Sequence, residues 1–128
     1  MRNSRTILAM AGLLIALATI AGALGAHALQ ARLSASQSQV YETAVRYHFF
    51  NALGLLGMGL AEQLRPARLT HLAATLVFSG VVCFSGSLYL LTFGINFGVP
   101  LLVALVTPLG GVLLIVGWLT FAWDQWRA

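Results

Sequence analysis

Charged residues are scarce in this sequence, and cysteine is almost absent. Only 8% of the 128 residues are charged, against about 25% in an ordinary soluble domain. A chain of this length keeps much of its surface exposed, and so few charges could not cover that surface in water. A water-soluble globular fold is therefore excluded. The single cysteine, Cys83, excludes an internal disulfide framework, and the 59% share of hydrophobic residues excludes a disordered chain.

Lysine is missing altogether, so every positively charged side chain belongs to an arginine. Seven arginines and three acidic residues give a formal net charge of +4. A basic balance of this kind is also found in nucleic-acid-binding proteins. Here the arginines stand at the edges of hydrophobic runs and do not line one face: Arg2, Arg5, Arg32, Arg46, Arg65, Arg68 and Arg127. That distribution is typical of membrane topology, and nucleic acid is excluded as a partner.

Four long hydrophobic runs dominate the chain. They cover residues 6–26, 44–61, 72–93 and 99–122, and each reaches the roughly 17–25 residues that cross a bilayer as a helix. They lack the polar alternation of barrel strands, and a backbone in lipid must satisfy its own hydrogen bonds. The sequence therefore predicts an all-α integral membrane protein. It is a single domain of residues 1–128, in which four transmembrane helices form an up-down-up-down bundle.

The arginines also predict the orientation of these helices. Those before the first run, between the second and third, and after the fourth fall on one side, which leaves Arg32 and Arg46 for the other. By the positive-inside rule, both termini are expected in the cytoplasm, in a multi-pass protein of the inner (plasma) membrane. Trp118, Trp123 and Trp126 fit an interfacial aromatic belt. The first run exceeds the roughly 7–15 residues of a signal-peptide core, so we expect it to be retained as a helix.

The connection between the first two runs is long and mixed in composition. Leu29, Leu33 and Val40 recur at helical spacing along one side, and Ser34 stands three residues before Gln37, as in a capping box. This pattern predicts an amphipathic segment between helices 1 and 2. The segment either lies on the outer membrane surface or extends the second helix beyond the lipid.

Small residues are frequent within the hydrophobic runs. They stand four apart at Gly12 and Ala16 and again at Ala18 and Gly22. Helices in lipid associate through close backbone approach at such positions. We expect tight packing within the chain, in preference to a seam between copies, and no wide aqueous pore.

Polar side chains concentrate near one end of the predicted bundle. Because each is costly in lipid, such residues are the first candidates for function. They form a candidate polar network or ligand site: His27, Glu42, Arg46, His48, Asn51, Ser85, Ser87 and Tyr89. We expect a buried hydrogen-bonded network that joins the outer ends of helices 1, 2 and 3. Glu42 and Arg46, four residues apart, are expected to form an ion pair within it.

Simpler explanations of the same residues stay open. Arg46 lies near enough to the interface to extend toward water, where its pair with Glu42 only makes the start of the helix tolerable. His48 and Asn51 are also explained as hydrogen-bonding contacts between helices. At the other end of the bundle, Asp124 and Arg127 are three residues apart and predict an exposed terminal pair.

Motifs for catalysis and cofactor binding are missing. The sequence has no phosphate loop, HExxH, CxxC or GxSxG, and His27, Glu42 and His48 match no metal or haem signature. We therefore expect no enzymatic activity, no cofactor and no metal. The prediction is a non-enzymatic accessory or structural subunit, in contact with membrane lipid and with copies of itself or other membrane-protein subunits. The alternative is a protein that binds or translocates a small molecule, a lipid or protons through the polar cluster.

Four short motifs follow one another along the chain, at residues 25–29 (GAHAL), 42–47 (ETAVRY), 84–90 (FSGSLYL) and 107–111 (TPLGG). Together they resemble the YgdD-like family of small inner-membrane proteins, catalogued as domain of unknown function four-two-three and related to a mitochondrial transmembrane protein. The resemblance implies an integral inner-membrane protein of about four helices without an established activity. One departure is Asn51, where the family pattern usually has a histidine, while His48 lies one turn earlier. A hydrogen-bonding role survives this exchange more easily than proton transfer or metal ligation.

Overall fold

The computed structural model describes residues 2–128, with side chains from Ser4 onward, and its regular structure is entirely helical. In that part of the chain α1 covers Arg2–His27, α2 covers Ala35–Leu64, α3 covers Thr70–Thr92 and α4 covers Pro100–Arg127. The prediction of an all-α fold with four helices is confirmed. Among the described residues, three helices are long and apolar enough to cross a membrane: Ser4–His27, Thr70–Thr92 and Pro100–Arg127.

The second helix, α2, begins well before the run predicted at residues 44–61. It starts at Ala35 because Ser34 and Gln37 form a complete capping box. The backbone N–H of Gln37 donates to Ser34 Oγ at 3.2 Å, and the N–H of Ser34 donates to Gln37 Oε1 at 2.9 Å. From Ala35 onward the predicted amphipathic segment is thus an extension of α2, whereas Leu29 and Leu33 lie in the turn that precedes it. The polar residues of α2 lower its mean hydropathy, so it does not qualify as a span by composition alone.

Each helix packs antiparallel against the next one along the chain. Three hydrogen bonds show the antiparallel arrangement, because each joins a residue near the start of one helix to a residue near the end of its neighbour. They connect Tyr41 with Ala21, Gln37 with Thr92, and Thr70 with Asp124. The centre consists of α2 and α3, with α1 packed on α2 and α4 packed on α3. In the described residues α1 and α4 do not pack along each other, so the ring of a regular four-helix bundle is left open.

Glycines bring α3 and α4 into backbone contact. A methyl group added at Gly110 would strike the backbone of Phe84, and one added at Gly117 would lie 3.0 Å from the backbone nitrogen of Val77. Helices in lipid depend on such close approach, because apolar side chains gain nothing by leaving lipid tails for one another. The tight packing expected within the chain is present in this pair of helices. Gly12 in α1, in contrast, faces open space.

Large apolar side chains remain on the outside of the molecule. Leu13 on α1 is 60% exposed, and Leu101 and Leu119 on α4 are 71% and 64% exposed. In water, an apolar surface of this extent would promote aggregation. Against lipid tails, which are as apolar as leucine, the same surface is at no disadvantage. The exposed surface is therefore that of a membrane protein.

Asp124 contradicts one sequence-based expectation, since it is not part of an exposed pair with Arg127. Its side chain is buried, and Oδ2 accepts hydrogen bonds from the backbone N–H of Leu69 at 2.8 Å and from Thr70 Oγ1 at 3.1 Å. The physical reason lies at the start of α3, where the N-cap residue Leu69 offers no side-chain cap. A carboxylate from α4 satisfies these donors and complements the positive end of the helix. Arg127 instead lies over the ring of Trp123, 5.5 Å from its centroid.

Candidate functional site

The polar residues predicted from the sequence divide into two groups where the end of α1, the start of α2 and the end of α3 meet. We call this region the outer end. The buried cluster consists of His48, Asn51, Ser85 and Ser87, which are buried, and Tyr89, which is half-buried. The outer group consists of His27, Glu42 and Arg46, which are all exposed.

His48 and Tyr89 connect α2 to α3. Nδ1 of His48 lies 2.9 Å from the hydroxyl oxygen of Tyr89. The ring of Tyr89 also packs against the ring of Tyr41, with centroids 5.5 Å apart. Tyr41 in turn donates its hydroxyl proton to the backbone carbonyl of Ala21 on α1. An imidazole and two tyrosines therefore connect three helices near the outer end.

The second ring nitrogen of His48 is the exception to this pairing. His48 is only 6% exposed, and its Nε2 is buried without a hydrogen-bond partner. The backbone of Leu14 on α1 is near enough to act on the imidazole, although it does not reach Nε2 with the geometry of a well-formed hydrogen bond. Buried polar atoms are nearly always paired, and leaving one unpaired costs about 1–3 kcal/mol. Nε2 is thus the atom of the buried cluster that lacks a well-formed hydrogen bond.

Two serines of α3 connect this helix to both of its neighbours. Ser85 Oγ donates to the carbonyl of Ala44 in α2 at 2.8 Å, and Ser87 Oγ lies 2.6 Å from Thr107 Oγ1 in α4. The serines therefore serve helix association. Thr107 was not among the predicted site residues, although its hydroxyl inside a hydrophobic run is the same signal that identified the two serines.

Asn51 extends the buried cluster to α4. Its Oδ1 accepts a hydrogen bond from Nε1 of Trp118 at 2.8 Å, and its Nδ2 donates to the carbonyl of Tyr47 at 2.8 Å. Gly54 makes room for this contact, because a methyl group there would strike the ring of Trp118. Sequence reasoning assigned Trp118 to an interfacial belt and missed its role in the cluster. A tryptophan N–H needs a partner when it is buried, which is the signal that was overlooked.

Glu42 and Arg46 do not form the expected buried ion pair. Neither side chain makes a hydrogen bond or an ion pair in the described part of the chain. Helix phase is the reason that the two side chains are exposed and not buried. Buried positions such as Tyr41 and His48 lie along one side of α2, and positions 42 and 46 point about 100° or more away from that side. His27, the last residue of α1, is likewise outside the cluster.

An open cavity lies beside the two exposed charges, between α1 and α2. We call it the outer cavity. Its volume is about 380 Å³, and its lining residues are Gly22, Gly25, Ala26, Gln30, Leu33, Ser38, Tyr41, Glu42, Val45 and Arg46. Gly25 is required where the helices approach, because a methyl group there would lie 2.6 Å from the ring of Tyr41. Glu42 and Arg46 therefore lie on the wall of the outer cavity, next to Tyr41. Tyr41 packs against Tyr89, the partner of His48.

A second cavity of about 480 Å³ lies at the opposite end, between the α2–α3 loop and the end of α4. Arg68 and Arg127 line it together with Asp124, whose carboxylate is already engaged at the start of α3. Among the residues from Ser4 to Ala128, no three His, Cys, Asp or Glu side chains come together as a metal-binding set.

Known sequences resemble this chain over most of its length. Residues 21–111 match the family model described as protein of unknown function (DUF423). The UPF0382 membrane protein YwdK of Bacillus subtilis is 41% identical over 99 residues, which cover 77% of each chain. The UPF0382 inner membrane protein YgdD of Escherichia coli is 36% identical over 97 residues, which cover 76% of this chain and 71% of the relative. No solved structure matches. The predicted site residues all lie within the segment that matches the family.

Proposed function

The chain belongs to the DUF423 family of membrane proteins of unknown function, and on this premise we propose a four-span inner-membrane protein with both termini in the cytoplasm. Three helices qualify as spans by length and composition. The remaining helix, α2, has 30 residues and extends about 45 Å at 1.5 Å per residue. It packs antiparallel between α1 and α3. A helix held in this way reaches the same depth as its neighbours, which supports a fourth span.

Exposed arginines support the orientation. Arg65 and Arg68 lie in the α2–α3 loop and Arg127 lies at the end of α4, at the same end of the bundle, whereas Arg32 lies in the α1–α2 loop at the outer end. Arginine is enriched on the cytoplasmic side of membrane proteins. The arginine-rich end is therefore assigned to the cytoplasm.

Single-cysteine labelling tests this topology. Cys83→Ser removes the one native cysteine, and Ala31→Cys or Ala128→Cys then introduces a single thiol at one end. A membrane-impermeant maleimide added to intact cells whose outer membrane has been permeabilised is expected to label position 31 and not position 128. Labelling of both positions would contradict four spans, because without α2 as a span only α3 and α4 would separate the two positions, and two spans place them on the same side. The reversed pattern would contradict the orientation.

For its role, the structure best supports a non-enzymatic accessory or structural subunit. The observation that carries this proposal is that the buried polar groups, apart from His48 Nε2, are bonded within the protein. Ser85, Ser87 and Asn51 each bond a neighbouring helix. Catalysis needs polar groups that face an accessible reacting centre, whereas these groups are engaged in holding the helices together.

Gentle solubilisation of native membranes tests the subunit role. The chain, tagged and expressed at its native level, is expected to migrate as a defined complex with a fixed stoichiometry, either with copies of itself or with another membrane protein. An unrelated four-span protein with the same tag is the control. Migration as a lone monomer after cross-linking in the membrane would contradict the proposal.

A second candidate function is the binding of a lipid or small molecule at the outer end. The outer cavity favours it, because Glu42 and Arg46 line this space and make no hydrogen bond or ion pair with other described residues. Charges near a membrane interface that are not paired within the protein are available to a ligand. Transport is tested separately, by the flux of protons and small anions in reconstituted liposomes. Binding without flux would restrict this second function to recognition.

A further inference from the structure

We propose that the outer cavity binds the headgroup of phosphatidylethanolamine, with Arg46 on the phosphate and Glu42 on the ammonium group. This inference deepens the second candidate function and rests on the membrane placement proposed above. A cavity of about 380 Å³ falls in the range of small-molecule sites, roughly 300–1,000 Å³. It is open, and it lies between two helices where a lipid has lateral access.

The two opposite charges on the wall of the outer cavity suit a zwitterionic ligand. Glu42 and Arg46 are one helical turn apart on α2, where an acid four residues before a base ordinarily forms an ion pair. In this structure the two side chains stay apart and both border the outer cavity. A guanidinium presents a planar fork of donors that fits two phosphate oxygens. A carboxylate accepts hydrogen bonds from a primary ammonium group.

The order of the two charges along α2 matches their order in the lipid. α2 runs from its start at Ala35 toward the middle of the bundle, so Arg46 lies about 6 Å deeper than Glu42 at 1.5 Å per residue. In phosphatidylethanolamine the phosphate is joined to the glycerol, and the ammonium group is the outermost part. Phosphatidylglycerol has no cation for Glu42, and the quaternary nitrogen of phosphatidylcholine has no N–H to donate.

The other walls of the outer cavity change from apolar at its inner part to polar at its outer part. Gly22 and Val45 line its inner part, where a methyl group on Gly22 would lie 3.7 Å from Val45 Cγ1. Gln30 and Ser38 line the part nearest the α1–α2 loop. The inner wall lies at the depth of Arg46 and therefore suits the glycerol that is joined to the phosphate. The outer wall offers an amide and a hydroxyl at the level of the headgroup.

Lipid binding to the purified full-length protein, measured by native mass spectrometry, tests the proposal. The protein is titrated with phosphatidylethanolamine, phosphatidylcholine and phosphatidylglycerol of identical acyl chains. We expect a preference of about tenfold for phosphatidylethanolamine, the effect of one charge-assisted contact. Glu42→Gln is expected to abolish the preference. Arg46→Gln removes the contact to the phosphate, which all three lipids share, and is expected to weaken the binding of all three by a similar factor. Arg32→Gln, which removes an exposed arginine outside the outer cavity, is the matched control and should retain the preference.

A charge exchange tests the axial order. The double variant Glu42→Arg with Arg46→Glu keeps the net charge and the spacing but reverses the two ends of the site. It is expected to lose the preference, with an unchanged thermal midpoint because both side chains are exposed. A preference retained in this variant would overturn the proposed contacts. Equal binding of the three lipids by the unaltered protein would overturn the proposal without reference to any variant.

Native mass spectrometry also distinguishes a lipid ligand from a soluble ligand of similar chemistry. Displacement of bound phosphatidylethanolamine by millimolar phosphoethanolamine would support headgroup recognition. Binding of phosphoethanolamine by delipidated protein that has no lipid preference would overturn the lipid as ligand. These results are independent of the topology test. If position 31 is labelled and position 128 is protected, the absence of a lipid preference contradicts only the proposed lipid site. A different labelling pattern contradicts the proposed membrane placement itself.

Discussion

Nε1 of Trp118 on α4 donates a hydrogen bond to Oδ1 of Asn51 on α2 over 2.8 Å. The two helices otherwise have little contact, since α4 packs mainly on α3. The indole ring also fills the space left by Gly54. One tryptophan thus joins the last helix to the centre of the bundle.

Loss of this hydrogen bond is expected to weaken the fold. Trp118→Phe keeps an aromatic ring but leaves Asn51 Oδ1 without its donor. We expect the free energy of unfolding to fall by about 1–3 kcal/mol, because a buried acceptor is left unpaired. Titration with a denaturing detergent measures this free energy. Trp126→Phe is the control, since Trp126 is 86% exposed and should change stability by less than about 0.5 kcal/mol. Similar losses in both variants would contradict the interpretation.

Glycine contacts between α3 and α4 make a second prediction. Gly110→Ala introduces a methyl group against the backbone of Phe84, which is part of a helix and cannot rotate away as a side chain would. The helices must separate, and we expect a loss of about 1–3 kcal/mol in the free energy of unfolding. Gly12→Ala, where the added methyl meets open space, should instead gain up to about 1 kcal/mol from helix propensity. The same sign in both variants would contradict the packing argument.

The helices could be predicted from the sequence because hydrophobic length and backbone hydrogen bonding in lipid leave few alternatives. The capping box at Ser34 and Gln37 was also readable, and it is present. The capping box alone does not distinguish an extension of α2 from a separate helix on the membrane surface, so the start of α2 at Ala35 could not be predicted. The open arrangement of α1 and α4 was not predicted. Packing between helices that are distant in sequence depends on how their surfaces fit, for example where Gly110 meets Phe84. The spacing of hydrophobic residues along the chain does not predict this fit.

The candidate site was only partly accessible to sequence reasoning. Polarity inside a hydrophobic run drew attention to His48, Asn51 and Ser85, and each of these side chains hydrogen-bonds a neighbouring helix. The same reasoning placed Glu42 and Arg46 in the buried cluster, since it used proximity along the chain and gave less weight to helix phase. Asp124 was misjudged for a related reason, because its partners on α3 are distant in sequence.

The buried carboxylate of Asp124 makes a third prediction. Asp124→Asn keeps the shape and an acceptor oxygen but removes the negative charge at the start of α3. We expect the free energy of unfolding to fall by about 1–2 kcal/mol, since charged acceptors at a helix N-terminus are stronger than neutral ones. Proteolysis of the α2–α3 loop should accelerate in the same variant. Arg127→Gln, which alters an exposed neighbour on the same helix, should leave both measurements unchanged. Equal effects of the two substitutions would show that the end of α4, and not the carboxylate, stabilises α3.

The pair formed by His48 and Tyr89 makes the last prediction, which concerns non-additivity. Tyr89→Phe removes the hydroxyl that pairs with Nδ1 and leaves this buried nitrogen without its partner, so a loss of about 1–3 kcal/mol is expected. His48→Leu removes the unpaired Nε2 together with the ring, but it leaves the Tyr89 hydroxyl unpaired. The double variant removes both partners, and replacement of both by apolar groups is nearly neutral when the shapes are kept. We therefore expect the double variant to lose less than the sum of the single losses, by about 0.5–3 kcal/mol. Tyr47→Phe is the control, because Tyr47 is 45% exposed and its hydroxyl makes no hydrogen bond among the described residues. Additive losses in the detergent titration would show that the imidazole and the phenol act independently, and His48 would then owe its place in the core to packing alone.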